Sequence, residues 1–565
     1  MRIHRARRSW LLCAALALGM TAAVPVAAAP AGTTTAGQYY VDCSRAVNGN
    51  GSSTQPFNTL APVNSLSLGP SDTVRFKRGT TCTGTLAPQG DGAAGSRIVI
   101  GAYGPSGDPR PVIVGTATGT SAVTLSDMSH VVIQDLALRN PLPEPATVNR
   151  QGLFVTATTG VVEDVVAERL SVSNVVGLIR DQANFSGGIV FQATGTGKFD
   201  GVTVRNNVVS DLSNNGITVT GRTVPRPAAD QPWPGATAKN VLVTHNLVRK
   251  VTGNGIIILN ADSPVSSWNE VDRAAGANRG PFRDPVNRIC NVGLWFWESN
   301  NALAEHNVVH DTVFKGDPEA PDGCDGEAFD MGDSSTDNTI YQYNISYNNI
   351  NTILAVGSSD SVEGVPHRAT FRYNLSINDK SIMGVVPGCA TQQPDPARCN
   401  GDHVRIHNNT YISDSWPTTL LQDDPELSER IRQSGIFGGL QFKNNVLYAT
   451  GERPDDFYFY CGEECSHNVF HGMPGHGTDA VLSDPKLVNP AAAALFKKTA
   501  AGAGPNLGQA FALAGNFAIK PGSPAACAGV PLAPLSVPMG NATAEFFGRA
   551  VQNPPSVGFA EAECK

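Results

Sequence analysis

Short runs in which apolar and polar residues alternate recur along the middle of the chain. They read "HVVIQDLALRN", "GVTVRNNVVSDLSNNGITVTG", "NVLVTHNLVRKVTGNGIIILN", "NALAEHNVVHD", "NTIYQYNISYNN", "ATFRYNLSIND", "HVRIHNNTYISD" and "GLQFKNNVLYA". A period of two with Val, Ile and Thr dominant predicts strands, and no 3.6-residue apolar period is sustained that would predict helices. Every run but the first carries an asparagine at the equivalent place: Asn207, Asn246, Asn307, Asn344, Asn374, Asn409 and Asn445. Their spacings run from 30 to 39 residues, with one of 61. One such unit cannot bury a face alone, but stacked units can. The predicted fold is therefore all-β: a single-domain right-handed parallel β-helix over about residues 38–560. Its asparagines would stack along the axis and bond one another rather than do chemistry. Little helix is expected beyond a short stretch near Asp424–Gln433.

The first thirty residues stand apart from this pattern. A basic "MRIHRARRSW", an apolar "LLCAALALGM" and a small-residue "VPVAAAPAG" predict a signal peptide over residues 1–30, hence a secreted, extracellular protein. No later stretch is long and apolar enough for a membrane helix. Removing the leader takes away Arg2, Arg5, Arg7 and Arg8 and moves the net charge from −8 to about −12. That sign argues against nucleic acid as a partner. The ten remaining cysteines suit disulfides in an oxidising compartment, with Cys43–Cys82, Cys290–Cys324, Cys389–Cys399, Cys461–Cys465 and Cys527–Cys564 as the sequence-local couples.

Two further stretches bear on family. "YYVDCSRAVNGNGSSTQPFNTLAPVNSL" followed by "GPSDTVRFKRGTTCTGTLAPQGDGAAGSRIVIGAYG" resembles the opening coils of bacterial secreted pectate-lyase-like β-helix proteins. "DPKLVNP", "FAIKPGSPAACAGV" and "AEFFGRAV" resemble their closing coil. The resemblance implies the fold over nearly the whole mature chain. It does not choose a reaction, because that superfamily holds polysaccharide lyases, glycoside hydrolases and phage tail adhesins.

Candidate chemistry comes from aligning the strands after each asparagine turn, "GITVTG", "GIIILN", "GLWFWES" and "GEAFDMG". In that register Ile217, Val219, Ile256, Ile258, Leu294, Phe296, Phe329 and Met331 point inward. Thr218, Ile257, Trp295, Thr220, Leu259, Trp297, Ala328 and Asp330 point outward, and a one-residue slip would invert every one of them. Trp295 and Trp297 would then stand beside Asp330 as a platform for a sugar ring. The long interval is read as a loop over 260–290 whose Trp268, Arg283 and Arg288 would contact the ligand. His367 and Arg368, one coil past Asp330, are further substrate-binding candidates.

Between Asp325 and Asp337 five carboxylates fall within thirteen residues, and no Lys or Arg occurs from Gly316 to His367. Carboxylates are disfavoured inside strands, so Asp330 between Phe329 and Met331 is expected to have a task. Paired carboxylates cleave glycosides, and clustered ones bind Ca²⁺. The first reading is a secreted glycoside hydrolase acting on an extracellular polysaccharide or oligosaccharide as a monomer, with no cofactor. Asp330 would be the general acid, its pKa raised by like-charge repulsion, and Glu327, Asp325 or Glu298 its partner. The second is a Ca²⁺-dependent polysaccharide lyase with Asp325, Glu327 and Asp330 as ligands and Lys315, Arg288, Arg368 or Lys380 as base. The third is a non-catalytic glycan-binding β-helix. His306 and His310 are read as turn hydrogen-bonders, and the "GHG" at Gly475–Gly477 as chance.

Overall fold

A corner one residue long sets the architecture. Asn206, His245, Trp268, His306, Tyr343, Tyr373, Asn408, Asn444 and His467 each have φ between 52° and 58°, and each is followed by an asparagine. A left-handed backbone costs a non-glycine residue about 1–2 kcal/mol. The following asparagine offsets this, because its Nδ2 donates to Oδ1 of the asparagine one coil on, at 2.9–3.2 Å from Asn207 through to Asn468. Each backbone N–H in the ladder donates to the same oxygen. Asn269 and Asn468 join the seven expected members. Asn269 stands 23 residues after Asn246 and 38 before Asn307. The 61-residue interval is therefore two coils, and the expected loop is in part a regular turn of the solenoid with strands Val265–Ser267 and Glu270–Asp272.

The computed structural model describes residues 36–564 except 143–147, 179–185, 222–234, 275–290, 313–325, 332–337, 357–367, 386–403, 417–439, 454–458, 460, 462–463, 498–503 and 534–541. Three sheets dominate it: sheet I with fifteen strands, sheet II with thirteen and sheet III with nine. Pairing within them is parallel, and successive strands go to I, II and III in rotation, which is the expected right-handed parallel β-helix. One continuous apolar cluster fills the interior from Val41 to Met473. Phe296, Phe329, Tyr341 and Phe371 fill it behind the acidic strand.

The closing segments do not stack as a full coil. Thr478 and Val481 add a last partial rung, and the chain beyond packs against the outside of sheet II. There Val308, Ile345, Tyr347, Leu375, Ile377, Ile412 and Val446 point away from the interior and would face water uncovered. Phe496, Ala510, Ala514, Phe517, Ile519, Phe546 and Phe559 cover them as a second core. This layer contains the helix Leu507–Ala514, opened by an Asn506–Gln509 capping box and tied to the solenoid by the Leu507 N–H, which donates to Glu270 at 2.7 Å. The sequence pattern did not predict this helix, and Asp424–Gln433 lies outside the described residues. Cys43–Cys82, Cys461–Cys465 and Cys527–Cys564 are bonded as expected. The other two couples fall outside the described residues.

Candidate functional site

Five neighbouring strands of sheet III build the acidic face: β1 (Asn215–Thr220), β2 (Ile256–Leu259), β3 (Leu294–Trp297), β4 (Glu327–Asp330) and β5 (Asn351–Val356). The expected register holds for the inward residues, all of which lie in the interior cluster. Ile257, Leu259 and Trp295 form a separate cluster with Val292, and Trp297 packs against it. Thr218, Ile257, Trp295 and Asp330 occupy one row across the strands.

Ala328 departs from expectation, because it belongs to the interior cluster. The reason is a kink at the start of each strand, where two successive positions face the interior. A Cβ on Gly216, Gly255 or Gly293 would lie 2.4, 2.5 or 2.3 Å from a Cγ1 of Val248, Val271 or Val309, so the chain turns inward there with no room for a side chain. Ala328 takes the rung of Gly293, since Leu294 pairs with Phe329. The residue before the kink and the second one after it therefore share the outer face. In β3 these are Val292 and Trp295, which pack together. Their counterparts in β4 are Glu327 and Asp330. The fold thus turns a spacing of three, which simple alternation would split between faces, into a pair of carboxylates on one face.

Both acids are 2 % exposed. Glu327 Oε1 accepts a 2.7 Å hydrogen bond from Nδ2 of Asn351, its register partner on β5, while Oε2 is buried and meets no donor among the described residues. Burial pushes the Glu327 carboxyl up to about 7, against the Asn351 bond, which favours the ionised form. At Glu327 the cause is desolvation rather than like-charge repulsion. The backbone carbonyl of Asp330 accepts from the phenol of Tyr341, which reaches it from inside the solenoid. β4 is thereby fixed from both sides.

The tryptophans divide into a wall and a lip. Trp295 is 1 % exposed, stacks on Trp297 at 5.5 Å with 14° between planes, and donates its indole N–H to Asn254 at 2.9 Å. The same Asn254 oxygen accepts the N–H of Val292. Trp295 is not an exposed platform, and the half-buried Trp297 is the ring of the pair that solvent reaches. The indole nitrogen of Trp297 is buried and meets no acceptor among the described residues.

The remaining candidates lie elsewhere. Glu298 sits on the turn after β3 with φ 47°, past the end of the strand that carries Trp295. Trp268 occupies the corner between sheets I and II, with His306 stacked on it at 4.5 Å, His245 at 6.2 Å and Phe511 at 5.1 Å. Its faces are taken, and the fold does not bring it to the acids. His306 belongs to that stack. Arg368 stands on the corner leading into strand Thr370–Arg372, one coil past Asp330. Asp325, Arg288, His367, Arg283 and Lys315 lie outside the described residues. Among the described residues, the grouping with metal-ligand spacing is Asp272, His310 and Asp311 on sheet II, where Arg273 is already bound to Asp272 by both carboxylate oxygens. The sequence reading missed Asn351, Asn254 and Tyr341. Asn351 lies 24 residues past Glu327, a shorter coil than the 30–39-residue intervals of the asparagine repeat, so the repeat did not point to it.

No family model matches the chain. It is 24% identical over 538 residues to a lacto-N-biosidase of Bifidobacterium longum subsp. longum, a match covering 79% of this chain. The chain spans about a third of the length of that curated relative, 32%. Two crystal structures of the GH136 lacto-N-biosidase from Eubacterium ramulus superpose with TM-scores of 0.53 and 0.51, at 21% identity, over 79% of this chain and 68% of theirs. At that identity the structural likeness establishes the architecture, a right-handed parallel β-helix.

Proposed function

We propose that the protein is a secreted glycoside hydrolase acting on neutral or mildly acidic oligosaccharides or polysaccharides, with Glu327 as general acid and Asp330 as its carboxylate partner. The observation that carries the reading is the pair itself: two buried carboxyls on one outer face beside a tryptophan stack, one of them protonated to about pH 7. A carboxyl that keeps its proton near neutrality can deliver it to the glycosidic oxygen as the C–O bond breaks. An ionised neighbour then stabilises the developing oxocarbenium, forms a glycosyl ester with it, or activates the water that replaces the leaving group. This exchanges the roles expected from sequence, because desolvation raises the Glu327 carboxyl to about 7. The chemistry needs no cofactor. The two lacto-N-biosidases support the hydrolase reading and place lacto-N-type oligosaccharides first among substrates to try.

The test is a panel of such oligosaccharides and of plant and bacterial polysaccharides, read for new reducing ends and for ultraviolet absorbance of unsaturated products. Reducing ends without absorbance, insensitive to chelator, are expected. Absorbance abolished by chelator would establish the Ca²⁺-dependent lyase instead. Retention of a glycan with no product would establish the binding protein.

A further inference from the structure

Glu327 and Asn351 occupy the same rung on neighbouring strands, and their contact is asymmetric. The amide nitrogen of Asn351 donates to Oε1 of Glu327, and among the described residues its own Oδ1 is buried without a donor, as is Oε2 of Glu327. Asn351 is 4 % exposed. An N–H pressed against Oε1 excludes a proton from that oxygen, so the carboxyl proton rides on Oε2. Two unpaired polar atoms on neighbouring strands of one rung, in a wall otherwise closed by Trp295, Ile257 and Val292, would carry an unrecovered desolvation cost unless a ligand meets them.

We propose that Asn351 is the positioning residue of the acid: its Nδ2 fixes Glu327 with Oε2 as the proton-delivering oxygen, and its Oδ1 accepts a hydroxyl of the same sugar. The inference rests on the hydrolase reading for its chemistry but not for its geometry. The bond to Oε1 favours the ionised carboxyl, so Asn351 also sets an upper bound on how far burial can raise it. A uronate carboxylate offers this oxygen no hydrogen and would be repelled, which is a further reason to expect a neutral sugar at this position.

The experiment follows the carboxyl directly. Infrared difference spectra across a pH titration carry a protonated-carboxyl band, assigned to Glu327 by its loss in Glu327→Gln. In Asn351→Ala, or Asn351→Ser should the alanine variant fail to fold, that band is expected to titrate about one pH unit higher than in the wild type. The alkaline limb of kcat should move with it, and kcat should fall about 10- to 100-fold. A Glu327 titration that stays in place in a folded Asn351 variant overturns the proposal, whatever happens to stability. Loss of the positioning effect and loss of the hydrolase reading remain distinguishable. If Glu327→Gln turns over at the wild-type rate, the catalytic assignment falls, while the infrared titration still decides whether Asn351 governs the carboxyl.

Discussion

Trp295 lies directly opposite Asp330 in the parallel ladder of sheet III. The row runs Thr218, Ile257, Trp295, Asp330, so apolar wall gives way to carboxylate between one coil and the next. Trp295 and Trp297 should therefore behave differently when truncated. Trp295→Ala removes a fully buried ring and one of the two hydrogen bonds that Asn254 accepts, and should cost about 3–5 kcal/mol in denaturant unfolding. Trp297→Ala should cost less than half of that and act mainly on KM. Equal losses of stability would show that both rings are structural.

Asp330→Asn is nearly isosteric and leaves the Tyr341 bond intact, because that bond goes to the backbone carbonyl. The melting temperature should stay within a few degrees, while turnover falls by roughly three powers of ten or more. Turnover near the wild-type level would remove Asp330 from the mechanism.

Glu327 imposes a pH-dependent strain. Its folded value of about 7 lies above the ordinary 4.5, so between those limits the folded state binds the extra proton and stability falls as pH rises. The full penalty, on the order of 3 kcal/mol, is present above pH 7 and absent below about pH 4.5. Glu327→Gln should match the wild type in thermal unfolding at pH 4.5 and exceed it at pH 8, while losing activity at both. A variant less stable at pH 8 would contradict the burial of a charged carboxylate there.

The sequence made the solenoid legible because its repeat is a local pattern: an asparagine after a one-residue corner, between β-branched strands. It made the position of Asp330 legible for the same reason, through period-two alternation. What alternation could not convey was the kink at Ala328, which depends on Val309 and Ser346 from another sheet and turns Glu327 to the face of Asp330. Nor could it convey burial of Trp295, since outward in a register is not the same as exposed. Asn269 escaped because Ser266 stands where the following coils carry Ala304, Tyr341 and Phe371, which breaks the apolar pattern ahead of the corner. The second core escaped because outward apolar residues such as Ile345 and Leu375 read as ordinary strand until their cover, far along the chain, is known.

His310 adds a stabilising contribution of opposite sign. Burial alone would lower its pKa, but Asp311 at 2.9 Å, Glu270 at 3.7 Å and Asp272 at 3.8 Å raise it, with Tyr347 stacked on the ring and Arg273 beside Asp272. The stabilisation is present in full below the ordinary 6.5 and is lost as pH climbs through the raised folded value. The difference in unfolding free energy between wild type and His310→Gln should therefore be largest near pH 5.5 and shrink steadily in alkaline buffer. A difference that grows with pH would mean that the buried imidazole is neutral.

The packing behind the acids makes the last prediction, through two positions that exchange volume. In the coil before the acids, Gly293 faces Val309, and a Cβ on the glycine would lie 2.3 Å from Val309 Cγ1 and 2.7 Å from the carbonyl oxygen of Ala328. One coil on, Ala328 takes the place of Gly293 and Ser346 that of Val309. One coil further, Thr352 and Ser376 stand there with their hydroxyls 2.9 Å apart. Bulk passes from sheet II to sheet III as the column climbs. Gly293→Ala alone should cost about 1–3 kcal/mol by overpacking, and Val309→Ser alone a similar amount by leaving a gap and an unpaired hydroxyl. The double variant reproduces the pair found one coil later, so its cost should fall short of the sum by about 1 kcal/mol or more in a double-mutant cycle. Relief should be incomplete, because the Ala328 carbonyl still crowds the new Cβ. Strict additivity would show that the glycine is held by the backbone carbonyl alone and that Val309 has no part in the kink that brings Glu327 beside Asp330.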